Sequence, residues 1–144
     1  QGFDDWQDPR STGGTSGLSI NADWLSRTLV LRSDARYIVV VEKDGVLNRM
    51  VEDGFHDRIP SVLVTGQGFP PLAVRACVYR LSEALDIPVL GLVDCNPFAG
   101  LSVLLQYKVG SSRQGAGSAK YAVPRLSWVG LRPSQLDGLD LPSQ

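Results

Sequence analysis

Glu42, at the end of the run YIVVVEKD, and Asp94, at the end of IPVLGLVD, are the residues best placed to do chemistry, because each acid closes an apolar stretch. Two carboxylates brought together repel unless a proton or a cation intervenes. Hard oxygen donors that leave room for water suit Mg2+. A magnesium site shared by Glu42 and Asp94 is the chemical reading of the pair. The plainer alternative is that each acid opens a solvated turn or caps a helix.

For the two acids to meet, the chain must deliver two strand ends to one edge. RYIVVVEKD reads as a β-branched strand, and VLNRMVEDGF, with Leu47, Met50, Val51 and Phe55 at helical spacing, reads as a helix. The pattern recurs. SVLVTGQGFPP supplies a strand and a glycine-rich turn, and LAVRACVYRLSEAL a helix with Leu72, Val74, Cys77, Val78, Leu81 and Leu85 on its apolar side. IPVLGLVD is a third strand and FAGLSVLLQYK a third helix. LSWVGL, residues 126–131, is a fourth strand after the connector GSSRQGAGSA. Nearly continuous apolar strands alternating with helices predict an α/β fold, with an about four-stranded, mainly parallel sheet covered by helices on both faces. In such sheets ligands gather beyond the carboxyl ends of the strands. Glu42, Lys43 and Asp44, the TGQG turn, and Asp94, Cys95 and Asn96 all fall there.

The chain has 144 residues, 43% hydrophobic and 20% charged, enough for one domain with a core. Residues 1–19 carry no apolar period and read as a flexible lead-in, with Leu18, Ile20, Trp24 and Leu25 opening the packed part. A start at Gln1 with Met50 as the single methionine reads as a piece of a longer chain. No long apolar span predicts a membrane helix. Cys77 and Cys95 lack metal-ligand spacing and point to a reducing compartment.

A formal net charge of −1 excludes a strong overall positive field, so contact with nucleic acid would have to be local. The region Gln106–Arg125 carries Lys108, Arg113, Lys120 and Arg125 and no acid. It suits a phosphate backbone or a solvated connector. Other chemistries fare worse. GQGFPP lacks the third glycine of a dinucleotide fingerprint, and no phosphate-binding G-x-x-x-x-G-K-[ST] occurs. His56, the single histidine, has no nucleophile elbow to serve. A thiolate at Cys95 is disfavoured by the charge of Asp94 beside it.

VVEKDGVLNRMVEDGFHDRIPSVLVTGQGFPPLAVRACVYRL, then IPVLGLVDCNPFAGLSVLLQYKVGS and LSWVGLRPSQL, resemble the Toprim domain of the topoisomerase VI A-type proteins and their eukaryotic meiotic double-strand-break relatives. The resemblance runs from about Tyr37 to Leu136, with a Toprim domain then drawn over 20–144. It implies a Rossmann-like, Mg2+-binding domain whose family partner is a winged-helix domain bearing the tyrosine that attacks DNA. That domain would lie outside this chain, since Tyr37, Tyr79, Tyr107 and Tyr121 read as packing or surface residues. By the same resemblance Glu42 matches the family glutamate, Asp94 the first acid of its D-x-D, and Asn96 stands where the second acid usually is, so Glu42, Asp94 and Asn96 form the implied metal set. Lys43, Lys108, Arg113 and Lys120 are the candidate DNA contacts.

The family further implies a type IIB topoisomerase or a related DNA-cleaving transesterase, a homodimer, a nuclear location and an ATPase B-type subunit. The fragment alone would be inactive. Gln67 stands for a lysine common in TGKG, and NPFAG is one residue longer than the family's D-P-x-G. These departures leave open a Toprim module that has lost its metal and serves as a dimerisation or partner platform.

Overall fold

Tyr37–Val41 forms β1, buried at every residue after the first, because its β-branched side chains fit a pleated surface covered on both sides. The computed structural model describes residues 17–26, 31–96, 98–111 and 116–136. Within them α1 spans Asp23–Ser26, α2 Asp44–Glu52, α3 Phe55–Arg58, β2 Ser61–Thr65, α4 Leu72–Leu85, β3 Val89–Leu92, α5 Gly100–Val109 and β4 Ser127–Val129, followed by α6, Pro133–Leu136. A 3-10 turn at Ala116–Tyr121 precedes β4. Of the lead-in read over 1–19, residues 1–16 lie outside the described residues.

The four strands pair in parallel in the order β2-β1-β3-β4. The α/β sheet read from the sequence is therefore present, with β1 and β3 adjacent at its centre. Ile38, Val40, Val64 and Val89 share one face and pack with Val74, Cys77, Val78 and Leu81 of α4 and Val103, Leu104 and Tyr107 of α5. Gly91 explains its own place in β3: a Cβ there would come 2.3 Å from Leu104 Cδ2, so the glycine lets α5 lie close on the strand. Val39 and Val41 point to the opposite face. On that side α2 and α3 cover β1 and β2.

VLNRMVEDGF does not form one helix. α2 ends at Glu52, and Gly54 takes the left-handed region at φ 64°, after which Phe55 begins the separate α3. Glycine adopts that backbone without the clash a Cβ would bring, which is why it stops the helix there.

The connector into β4 is tied by polar bonds. Arg75, fully buried in α4, donates from Nη2 to the Ser118 carbonyl at 2.8 Å, and Ser118 Oγ donates to the Ser111 carbonyl at 2.8 Å. Desolvation lowers the Arg75 pKa from its ordinary value. Ahead of β1, Ile20 packs on the main core, and Arg80 Nη2 reaches the Leu25 carbonyl at 2.7 Å.

Candidate metal centre at the strand ends

The register pairs Val41 with Leu92, so Glu42 leaves β1 beside the residues that leave β3. Its backbone is held on both sides: the Glu42 N–H donates to the Leu92 carbonyl at 3.0 Å, and the Gly68 N–H donates to the Glu42 carbonyl at 2.9 Å. The glycine-rich turn after β2 is thus a clamp on the end of β1. Gln67 enters it at φ 53° and Gly68 at φ 100°, and the Gln67 N–H bonds Thr65 Oγ1 at 3.1 Å. Gly66 presses on Pro70, where a Cβ would sit 2.8 Å from its Cα.

Glu42 is only 7% exposed. A buried carboxylate needs hydrogen bonds to offset its lost hydration. Glu42 Oε2 accepts the Asp94 backbone N–H at 2.9 Å, a charge-assisted bond that joins the two acids' strands. Asp94 is half exposed, and its Oδ2 forms an ion pair with Lys43 Nζ. The hydrogen bond to Asp94 and the charge of Asp94 raise the Lys43 pKa, with Glu42 adding a smaller push. Val41, Glu42, Lys43, Val46, Leu92, Val93 and Asp94 line one cleft of about 130 Å³. Glu42, Lys43 and Asp94 therefore line one cleft at the edge where the sequence predicts a cation site.

Asn96 is placed differently. Its Oδ1 accepts the N–H groups of Phe98 at 2.9 Å and Ala99 at 3.2 Å, and its carbonyl accepts that of Leu101 at 3.3 Å. Its side-chain oxygen satisfies the turn into α5, as Asn commonly does ahead of a helix. Phe98 and Ala99 of the longer NPFAG segment lie in that turn. Gly100 opens α5 directly beneath Asp94, and a Cβ there would lie 2.2 Å from the Asp94 carbonyl oxygen. This contact was not readable from the sequence, although a glycine shortly after an acid at a strand end is the signal for it. Among the described residues no group of three or more His, Cys, Asp or Glu side chains is arranged to hold a metal.

The described basic residues are not gathered at this edge. Lys43 stands in the cleft. Lys108 Nζ donates to the Leu126 carbonyl at 2.9 Å, just before β4 begins, and so lies at the opposite end of the sheet. Lys120 Nζ sits 4.8 Å over the Tyr121 ring. Arg113 lies outside the described residues. Of the tyrosines, Tyr107 is fully buried and its phenol pKa is pushed up by burial, while Tyr79 and Tyr121 pack edge to face.

Residues 37–144 match the TOP6A-Spo11 Toprim family, the Toprim domain common to the topoisomerase 6 A-type proteins and Spo11. The chain belongs to that family. This Toprim chain is 44% identical over 126 residues to the meiotic recombination protein SPO11-2 of Oryza sativa subsp. japonica, covering 85% of the chain and 32% of the relative. It is 40% identical over 131 residues to the A-type protein of DNA topoisomerase 6 from Arabidopsis thaliana, covering 91% and 30%, and 36% identical over 113 residues to the meiotic recombination protein SPO11 of Mus musculus, covering 78% and 28%. The Toprim chain thus spans about a third of the length of the curated relatives it matches. Among the described residues no helix is long and apolar enough to cross a membrane.

Proposed function

We propose that this chain is the Mg2+-binding Toprim portion of a nuclear protein that breaks both strands of DNA by tyrosine transesterification, in meiotic recombination or as a topoisomerase. The observation that carries the reading is the convergence of buried Glu42 and half-exposed Asp94 on one cleft at the carboxyl ends of adjacent parallel strands. Their donor set fits Mg2+, which is commonly held by one or two carboxylates with water and substrate phosphate completing its shell. Bound there, the ion would neutralise and orient a DNA phosphate.

Glu42 and Asp94 hold the ion in this reading, and Asn96 acts through water because its Oδ1 is engaged in the turn. The clamp from Gly68 fixes the Glu42 backbone, and the Asp94 N–H fixes its carboxylate, so both groups wait in place. Lys43 is the DNA contact nearest the cleft. Lys108, tied to the Leu126 carbonyl at the opposite end of the sheet, lies away from a DNA held at the Glu42–Asp94 edge. The longer protein would supply the attacking tyrosine, pair with a second protomer and engage an ATPase B-type subunit.

The test is DNA cleavage by that longer protein, read as protein covalently linked to 5′ ends. Glu42→Gln and Asp94→Ala should abolish the adduct while leaving expression intact. Wild-type adduct levels in both variants would refute the reading. A platform that binds partners without metal is the second reading, favoured by the engagement of the Asn96 oxygen in the turn ahead of α5.

A further inference from the structure

The cleft between Glu42 and Asp94 is already served by a cation of the chain's own. Lys43 Nζ lies against Asp94 Oδ2, with both side chains about half exposed to solvent. The Lys43 backbone is fixed, because its carbonyl accepts the Val46 and Leu47 N–H groups, both at 3.1 Å, at the start of α2. Its side chain makes no capping bond there and is held by Asp94. The Asp94 backbone is held as well. Its N–H is bound by Glu42 Oε2 at 2.9 Å, and its carbonyl rests on Gly100. Both backbones are therefore held, and the long, flexible Lys43 side chain is the partner that can move farther when the pair opens.

We propose that Lys43 is an exchangeable counter-ion: a divalent cation displaces it from Asp94, and the released ammonium then takes a non-bridging oxygen of a DNA phosphodiester. This rests on the metal reading above. With Asn96 Oδ1 engaged by Phe98 and Ala99, Asp94 is the partly open acid at the cleft, so an incoming cation must compete with Lys43 for it. Charge gives the exchange a direction. Two carboxylates and one ammonium leave the cleft with one net negative charge, which repels phosphate. A divalent ion reverses the sign to one net positive charge. Metal and phosphodiester binding are then linked, each strengthening the other.

The test is calorimetric titration of Mg2+ into the 144-residue chain at low ionic strength, with Lys43→Met and Lys43→Arg beside the wild type. Removing a positive charge adjacent to a divalent ion at a half-exposed site should tighten Mg2+ binding roughly tenfold in Lys43→Met. Lys43→Arg should stay near the wild type. A short DNA duplex added to the Mg2+-saturated proteins should bind more weakly to Lys43→Met for every sequence, with a salt slope shallower by about one. If wild type and Lys43→Met bind Mg2+ equally, the exchange is overturned and the metal reading stands. If Mg2+ tightens while DNA binding and its salt slope stay unchanged, the phosphate half of the proposal fails. If no protein binds Mg2+ saturably, the metal reading fails and the exchange with it.

Discussion

Replacing Gly100 with alanine adds one methyl group where α5 meets the carbonyl of Asp94. The new Cβ would stand 2.2 Å from the Asp94 oxygen and 3.2 Å from both the Asp94 carbonyl carbon and Val93 Cγ2. Relief needs a movement of about 1 Å to restore ordinary contact distances. The atom in the way is backbone, so no side-chain rotation removes it. Moving the Asp94 carbonyl by that amount drags the Asp94 backbone and breaks the 2.9 Å bond from its N–H, in the preceding peptide, to Glu42 Oε2.

Losing a hydrogen bond to a charged group costs about 1.5–3 kcal/mol, and overpacking adds about 1–3 kcal/mol. The better helix propensity of alanine returns at most about 1 kcal/mol. Gly100→Ala should therefore lose roughly 1.5–6 kcal/mol in urea unfolding, with its Mg2+ affinity falling as well. Gly45→Ala is the matched control: it lies in α2 with nothing within 4 Å of the added Cβ and should gain up to about 1 kcal/mol. A Gly100→Ala protein as stable as the wild type would refute the packing argument.

Other expectations concern the Asn96 turn, the basic residues and alkaline stability. Asn96→Asp should keep the turn ahead of α5, because Asp accepts the same N–H groups, and its second oxygen should tighten Mg2+ binding several-fold in calorimetry; unchanged affinity would place residue 96 outside the metal's reach. Lys108→Met should lose about 1 kcal/mol through its bond to the Leu126 carbonyl yet leave DNA binding in Mg2+ unaltered, as read by urea unfolding and anisotropy. Burial pushes the Cys77 thiol from 9.0 up to about 12. Above pH 9 the unfolded chain releases a proton that the folded chain keeps, so this contribution is complete below pH 9 and declines toward pH 12, by up to roughly 1.4 kcal/mol per pH unit. Cys77→Ala should flatten that decline without abolishing it, since burial also raises the Tyr107 phenol pKa; an unaltered slope would place the titration elsewhere.

The sheet was legible because β1 and α4 carry signals that tertiary context does not overturn. YIVVV has one strand-like solution, and the apolar side of Leu72–Leu85 repeats over almost four turns. The position of the acids was legible for a topological reason, since adjacent parallel strands bring their carboxyl ends to one edge. What those acids touch was not. Lys43 is next to Glu42 in sequence but pairs with Asp94, a contact that exists only once β1 and β3 are side by side. Asn96 is suited by type both to a metal and to a helix cap, and only the path of residues 98–101 shows where its oxygen points. Lys108 reads as a basic surface residue until β4 brings the Leu126 carbonyl to it. The Asp53-Gly54 break was readable in principle, yet the apolar spacing of Leu47, Met50, Val51 and Phe55 runs straight through it.

The most direct measurement of the metal reading is a Mg2+ titration of the chain followed by backbone amide NMR, beside Asp94→Ala. Saturable shifts confined to Glu42, Lys43, Gly68, Asp94 and Asn96, and lost in the variant, are expected from a cation held between the two strand ends. Shifts that are absent at millimolar Mg2+, or that persist unchanged in Asp94→Ala, would contradict it.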